Sequence, residues 1–204
     1  LICAWLASIG RPRLALVYDL LDTDDGMRRW PVTSIQRLMH RRVDRMSVSS
    51  PRFVTDFLRP LRLIPSACEP TVIANAPWRA TFAGIEPRCE PAIVVGYIGS
   101  LRSLPAIEWL VESARAVRDQ GHDGRILFAG TGQCRPDVER LAATPPFVTC
   151  LGPYDDATEI RTLYQQVDVV YAVYDDSPDK RAHVACRLSD AIAAGRAIIV
   201  SAGT

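Results

Sequence analysis

Short apolar runs of strand length alternate along this chain with stretches in which apolar residues recur at helical spacing. The clearest run covers residues 92–98 (AIVVGYI) and is almost continuously apolar, as expected for a parallel strand that is covered on both faces. The glycine turn at 99–100 follows it, and then apolar positions at helical spacing continue to Val117 behind a capping Ser103. This segment therefore predicts a strand, a tight turn and a helix.

The same pattern repeats up to the end of the chain. Further strands are predicted at 126–129, 147–150, 167–174 and 197–200, with helices around 138–142, 160–164 and 187–194 and a polar loop at 175–180. Strands that alternate with helices in this way are typical of a parallel sheet with crossover helices. We therefore predict one doubly wound α/β domain over residues 92–204.

Residues 1–80 show the same alternation less completely. Strands are predicted at 14–18, 46–49 and 71–74, and helices at 35–43 and from residue 50 onward. Between residues 75 and 91 the periodicity stops and prolines accumulate, which is typical of a linker. We predict two Rossmann-like lobes, the first of them incomplete: a partial lobe at 1–80, a linker at 81–91 and a second lobe at 92–204.

Composition and charge exclude several classes of protein. The 204 residues carry a formal net charge of +1, with 48% hydrophobic and 23% charged residues, which is the profile of a globular protein. This near-zero charge supplies no broad positive field, so we do not expect a nucleic-acid partner. The scattered arginines are interpreted as solvated surface charges, and His40, which lies between arginines, as a surface residue.

Cysteine spacing and run length bear on metals and membranes. The six cysteines lie far apart, without a C-x-x-C pair or a histidine at zinc-ligand spacing, so no metal site is predicted. No apolar run approaches the ~20 residues that span a bilayer. We therefore expect reduced thiols and a cytoplasmic location, and a peripheral membrane contact stays open.

Two glycine turns are candidates for ligand binding, because ligands of open parallel sheets bind beyond the carboxyl ends of the strands. In the first turn, Gly99 permits close approach of the backbone and Arg102 can fork onto a phosphate. The alternative is a tight turn with a surface arginine. The second turn runs from Gly130 to Gly132 and is of the same kind. Neither fits the Walker or dinucleotide pattern, so an ATPase or a dehydrogenase is not predicted.

A third candidate is the pair Arg187 and Asp190, three positions apart on a predicted helix. Such a spacing is that of a simple salt bridge. In the alternative interpretation Arg187 faces a diphosphate, and the Asp190 carboxylate accepts hydrogen bonds from the two hydroxyls of a ribose.

At these motifs the chain resembles the nucleotide-sugar-binding domain of family-four glycosyltransferases, which have the GT-B fold. The resemblance is carried, in this order, by VVGYIGSLR, ILFAGTGQ, FVTCLGPYDDATEIRTLYQQVDVVYAVY and RLSDAIAAGRAII. Residues 13–80 resemble the latter part of the acceptor domain of that family, through LALVYDLLD, DRMSVSSPRF and TVIANAP. Since the chain also begins without a methionine, we expect it to be part of a longer protein.

The resemblance implies transfer of a sugar from a nucleotide diphosphate sugar to a hydroxyl of a glycan, lipid or small-molecule acceptor. It implies retention of anomeric configuration, no metal and no cofactor, and a location in the cytoplasm or at the inner face of a membrane. The donor-binding residues that it implies are Gly99, Ser100, Arg102, Gly130, Gly132, His183, Arg187, Leu188 and Asp190. Of these, Arg102 and Arg187 would stabilise the charge of the leaving group. No residue is assigned as catalytic.

The chain departs from the family pattern at four positions. Arg187 stands where lysine is usual, and Asp190 where glutamate is usual. Ala182 replaces an acidic residue of many members, and Leu21 stands where relatives often have histidine. Two alternatives therefore stay open: a nucleotide-sugar epimerase on the same fold, and a nucleotide-sugar-binding module without catalytic activity.

Overall fold

The computed structural model describes residues 2–9, 11, 14–21, 25–174 and 185–201. These residues fall into two compact units, the first made of residues up to 75 and the second of residues 76–174 and 185–201. Each unit has a parallel sheet and its own core. The predicted α/β class with parallel sheets is confirmed. The predicted loop at 175–180 lies outside the described residues.

The first unit is built on a three-stranded parallel sheet in the order β1-β2-β3. Its strands are β1 (Val17–Leu20), β2 (Arg45–Val48) and β3 (Thr71–Val72). Its helices are α1 (Ile2–Ser8) and α2 (Val32–His40), with a 3-10 helix at Asp25–Arg28 and a π-helical segment at Phe53–Leu58. The core forms where β2 and the π-helical segment bury their apolar side chains. Helix α1 has no counterpart among the sequence predictions.

His40 is buried, which corrects its assignment to the surface. Helix α2 turns Thr33, Met39 and His40 inward, while the neighbouring Arg41 is exposed. His40 is 4% exposed, and its Nδ1 donates a hydrogen bond to the carbonyl of Leu63. The run of arginines around it suggested a polar face, but the contact with Leu63, 23 positions further along the chain, places His40 in the interior.

This burial predicts that the stability of the chain depends on pH. Burial lowers the pKa of His40 from 6.5 and outweighs the opposing effect of its hydrogen bond to Leu63. The folded chain therefore favours the neutral imidazole. The stabilisation by this buried neutral group is complete above pH 6.5 and is lost as the pH falls below that value. We expect the melting temperature to fall between pH 7.5 and pH 5, and His40→Gln to flatten this dependence. The matched control is His122→Gln, at an exposed site; an equal pH slope in the wild type and His40→Gln would contradict the prediction.

The second unit contains a five-stranded parallel sheet in the order β6-β5-β4-β7-β8. The strands are β4 (Ile93–Ile98), β5 (Gly124–Ala129), β6 (Val148–Gly152), β7 (Val169–Ala172) and β8 (Ala197–Val200). Counted from β4, this is the order 3-2-1-4-5 of a doubly wound fold, with the reversal between β4 and β7. Ligands of such sheets bind beyond the carboxyl ends of the strands at the reversal, so the site is expected there.

Helices cover both faces of this sheet. They are α3 (Arg79–Phe82), α4 (Leu104–Asp119), α5 (Arg135–Ala142), α6 (Ile160–Gln165) and α7 (Cys186–Ala193). The predicted cap of α4 is confirmed, because the Ser103 side chain accepts a hydrogen bond from the backbone of Ala106. One face packs Tyr97 and Phe128 against α4 and α5, and the other packs Tyr164 with α3 and α7.

The segment before β4 packs closely on the second unit. Phe82 is 4% exposed, and its ring meets Tyr164 edge to face at 5.1 Å between centroids. The buried Arg196 donates hydrogen bonds to the carbonyls of Glu86 (2.8 Å) and Tyr164 (2.9 Å). This arginine thus differs from the solvated charge that composition suggests, because its fork satisfies backbone carbonyls. The bounds of the lobes and of the linker at 81–91 stay a prediction.

Candidate functional site

A cavity of about 250 Å³ opens at the carboxyl ends of β4, β5 and β6. It is lined by Gly99, Ser100, Gly130, Thr131, Tyr154 and Asp156. Each of these residues follows one of the three strands by a few positions, and parallel strands bring their carboxyl ends to one edge of the sheet. The structure therefore brings together three of the residues predicted to bind the donor, at 99, 100 and 130.

The two glycine turns are locked together by their backbones. The Leu101 N–H donates to the Thr131 carbonyl at 2.7 Å. A Cβ atom on Gly130 would lie 1.9 Å from the Gly99 oxygen, and one on Gly132 would lie 2.3 Å from the Leu101 oxygen. Both glycines also have positive φ, +137° and +146°. These two positions require glycine because the first turn passes directly over them.

Arg187 lies in the first turn of α7 and is 6% exposed. Its guanidinium carbon is 4.1 Å from the centroid of the Tyr97 ring and 5.6 Å from that of Tyr174. Its Nη1 donates to the Tyr171 carbonyl at 3.1 Å, and its Nε is buried without a hydrogen-bond partner. Within the described part of the chain, Arg187 makes no ion pair with Asp190, so the simple salt bridge does not form there. Like Arg196, it is not the solvated charge that composition suggests.

The guanidinium of Arg187 is next to the first glycine turn. A Cβ atom on Gly99 would lie 3.1 Å from Nη2 of Arg187, which is a tight approach, and the φ of +118° at this residue favours glycine. Gly99 is itself in the cavity wall, whereas Arg187 is not among the lining residues. The positive charge is thus separated from the cavity by one backbone segment. Among the residues that the structure describes, no carboxylate forms an ion pair with this cation. A buried cation in such surroundings is costly, and an anion at this turn would supply a counter-charge.

Carboxylates and a phenol lie on another side of the same site. Burial, and then the negative charge of Asp156, raise the pKa of Asp190 to about 6. Burial and the same Asp156 charge raise the pKa of Tyr154 to about 12. The site therefore combines a cation beside the glycine turn with two carboxylates that can accept hydrogen bonds. Such an arrangement suits a ligand that has both an anionic group and hydroxyls.

The remaining predicted residues occupy varied positions. Arg102 is exposed at the end of the first turn, where its carbonyl accepts a 2.9 Å hydrogen bond from Gln133 Nε2. Leu188 is half-buried in α7, directly after Arg187. His183, like Ala182, lies outside the described residues. None of these positions tests the donor-binding role, which stays a prediction for all nine residues.

Sequence reasoning missed Tyr154 and Asp156 as site residues, although it placed both in a family motif. Their position could have identified them, because both follow within a few residues of Gly152, the last residue of β6. It also missed Tyr97 and Tyr174, which read as apolar strand positions until their contacts with Arg187 are known.

The described residues offer neither a cluster of metal ligands nor a membrane-spanning helix. Nowhere in them do three His, Cys, Asp or Glu side chains come together as a set that could bind a metal ion. Among the helices of the described ranges, none has the length and apolarity needed to span a bilayer.

The raised pKa of Asp190 predicts that this site is destabilising when it is ionised. The folded chain favours the protonated carboxyl. The loss of stability caused by the ionised Asp190 is therefore absent below pH 3.8 and fully present above about pH 6. We expect Asp190→Asn to raise the melting temperature at pH 8 and to leave it unchanged near pH 4. Glu112→Gln, on the exposed side of α4, is the matched control and should change neither value. If Asp190→Asn fails to stabilise the chain at pH 8, the electrostatic description of the site is wrong.

A family model described as glycosyl transferases group 1 matches residues 92–204, which is more than half of the chain. Curated protein sequences give no significant match. Among solved structures, TarM aligns with a TM-score of 0.59 and 13% identity over 87% of this chain and 33% of its own. A point mutant of S. aureus TarM, solved with fondaparinux, alpha-GlcNAc-glycerol and UDP, aligns at 0.58 with 12% identity over 82% of this chain and 32% of its own.

The pneumococcal O-GlcNAc transferase GtfA, solved with UDP and GlcNAc, aligns with a TM-score of 0.54 and 14% identity over 79% of this chain and 30% of its own. The chain thus spans about a third of the length of these structures. At such identities the likeness shows the fold, and the predicted GT-B architecture is confirmed for the part that is present.

Proposed function

The chain belongs to the glycosyl transferases group 1 family, and on this premise we propose that the protein transfers a sugar from a nucleotide diphosphate sugar to an acceptor hydroxyl. The cavity beyond β4, β5 and β6 is the proposed donor site. The two neighbours that were solved with UDP make UDP the first nucleotide to test.

The observation that carries the proposal is the buried guanidinium of Arg187 beside Gly99. This cation has one hydrogen bond to a carbonyl, two aromatic contacts and a buried Nε that has no partner among the described groups. Protein interiors tolerate such a charge when a ligand supplies its counter-charge, and the planar fork of a guanidinium matches the oxygens of a phosphate group. The leaving nucleotide diphosphate would gain the same stabilisation as its charge develops.

Two helices add to this positive potential. Helix α4 begins at Leu104, shortly after the first glycine turn, and α7 begins at Cys186, next to Arg187. A helix N-terminus carries a partial positive charge of about half an elementary charge. Together with Arg187 and the exposed Arg102, these termini supply the charge stabilisation that other transferases obtain from a metal. We infer a reaction that proceeds without a metal and with retention of configuration, as the family resemblance implies.

The carboxylates of the site can accept hydrogen bonds from the hydroxyl groups of the donor. Asp190 is half-buried in α7, one helical turn from Arg187, and Asp156 lies in the cavity wall. A carboxylate can accept hydrogen bonds from both hydroxyls of a ribose. We assign this role to Asp190, and Asp156 adds a second acceptor at the same site. The acceptor of the transferred sugar stays open among glycans, lipids and small molecules.

Binding of nucleotide diphosphates tests the donor site. We expect the chain to bind UDP, GDP or ADP in calorimetry, and Arg187→Gln to weaken the preferred nucleotide about 10-fold or more, since hydrogen bonds to charged groups contribute ~1.5–3 kcal/mol. Asp190→Ala should weaken it as well. Arg115→Gln on the exposed side of α4 is the control for loss of a positive charge. Arg187→Lys keeps the positive charge at this position and is the conservative variant to measure if Arg187→Gln fails to fold.

If Arg187→Gln and Asp190→Ala both bind nucleotide diphosphates with unchanged affinity, the proposed donor site is wrong. A full-length protein assayed with radiolabelled donors then separates the alternatives. Transfer to an acceptor supports the transferase, and interconversion of the free donor without an acceptor supports the epimerase. Nucleotide binding without either reaction supports the binding module.

We also propose a peripheral contact between the first unit and an anionic membrane, with the protein in the cytoplasm. The contact would be made by the α2 surface, defined as the exposed apolar side chains of Trp30, Val32, Ile35 and Leu38. Trp30 is 83% exposed, and Ile35 and Leu38 are about half exposed. Residues 26–43 carry five arginines and no acidic residue. Exposed apolar side chains among basic ones are typical of binding to anionic lipid surfaces.

Vesicle flotation tests this contact. The chain should float with vesicles that contain one third phosphatidylglycerol and should not float with pure phosphatidylcholine, because the arginines require anionic lipid. Trp30→Ser should reduce the bound fraction severalfold, and Trp109→Ser, which removes an exposed tryptophan of the second unit, should not. Equal loss in both variants, or equal binding to both kinds of vesicle, would contradict the proposal.

A further inference from the structure

Tyr97 stands next to the candidate donor site without lining it. It is the second-last residue of β4, two positions before Gly99, and it is 2% exposed. Phe128 and Tyr171 on the neighbouring strands lie 6.0 Å from its ring centroid. Phenylalanine or leucine would fill this core position equally well if the residue served packing alone. A tyrosine has two further capacities there, a ring face for a cation and a hydroxyl for a hydrogen bond.

The ring of Tyr97 holds the guanidinium of Arg187. At 4.1 Å from the ring centroid, the guanidinium carbon is well within the range of a cation–π contact, and burial strengthens such a contact. The Tyr171 carbonyl holds Nη1. With these two contacts, Nε has no hydrogen-bond partner among the described residues, and Nη2 lies close to Gly99, which faces the cavity. The orientation of the free edge of the guanidinium thus depends on the Tyr97 ring.

The hydroxyl of Tyr97 reaches the other part of the site. It donates a hydrogen bond to the Ser100 carbonyl at 3.3 Å. Ser100 lies in the cavity wall beside Gly99. A single buried side chain therefore contacts both the cation and the turn in front of it, and it fixes one relative to the other.

We propose that Tyr97 is a positioning residue of the donor site, which aligns Arg187 with the Gly99 turn so that a diphosphate meets a fixed cation. This inference rests on the proposed function for the identity of the anion. The positioning itself is a property of the free chain. Without the ring, the contacts of the guanidinium that remain in the described part of the chain are one hydrogen bond and the more distant Tyr174 face, and the guanidinium loses its fixed orientation.

The positioning can be measured without a ligand. In the wild type, the Arg187 Nε–H should give a sharp NMR signal that is shifted by the ring current of Tyr97. In Tyr97→Leu this signal should broaden or move to the position of a solvated arginine, and in Tyr97→Phe it should stay close to its wild-type position. An Nε–H signal that is the same in the wild type and in Tyr97→Leu overturns the proposal.

Anion binding supplies the second measurement, with UDP and inorganic pyrophosphate as probes. Tyr97→Leu should weaken both roughly 3- to 30-fold, the range that a desolvated cation–π contact supports. Tyr97→Phe should restore most of the loss, and the remainder reports the hydrogen bond to Ser100. In an Arg187→Gln background, Tyr97→Leu should have no further effect, because the positioning acts through Arg187.

The control for a merely structural role is Phe128→Leu, which removes a ring from the same core but not from Arg187. It should lower the melting temperature and leave the affinity for pyrophosphate unchanged. An equal loss of affinity in Phe128→Leu, or additive effects of the Tyr97 and Arg187 substitutions, overturns the proposal. If the wild type binds neither probe while its Nε–H signal depends on Tyr97, the positioning stands and the proposed donor site fails.

Discussion

The contact between the Arg187 guanidinium and the Tyr97 ring is the interaction on which the rest of the site depends. It keeps a full positive charge 94% buried at the reversal of the sheet, where β4 and β7 are neighbours. The aromatic faces and one carbonyl replace part of the lost hydration but supply no counter-charge. The turn in front of the guanidinium needs glycine at Gly99 because its φ is +118°, and a Cβ atom there would also come within 3.1 Å of Nη2.

The parallel sheet converts this local contact into a site. Parallel strands with crossover helices bring the carboxyl ends of β4, β5 and β6 to one edge, although some 50 residues of sequence separate Gly99 from Tyr154. The glycines at 130 and 132 let the first turn lie on the second, so that both form one wall. Helix α7 then brings Arg187 and Asp190 to the same edge from the end of the chain. The cation, the turns and the carboxylates are therefore fixed by one topology.

Strand and helix positions in the second unit follow from the sequence because burial on both faces leaves an unmistakable apolar run, and because serine caps and glycine turns mark the ends. The candidate site is predictable for the same reason, since residues after buried strands meet at one edge. What is not predictable is the environment of single polar residues. His40 lies among arginines in sequence, and Arg196 is a charged residue that composition alone assigns to the surface. Only tertiary contacts with Leu63 and Tyr164 decide that they are buried. The contact of Tyr97 with Arg187 joins residues 90 positions apart, beyond any local pattern.

The departures from the family pattern in α7 are easier to understand with these contacts in view. A delocalised guanidinium stacks on an aromatic ring and is less strongly hydrated than the compact ammonium of a lysine. An arginine in place of the usual lysine is therefore better stabilised by the flat aromatic neighbour. An aspartate in place of the usual glutamate draws the carboxyl closer to the helix, where burial and Asp156 raise its pKa to about 6. In both cases the sign of the charge is kept, and in this chain Arg187 is buried and Asp190 half-buried. A charge held in this way interacts more strongly with a bound ligand than a solvated one, so the substitutions are compatible with a donor site whose electrostatics rest on preorganised, buried groups.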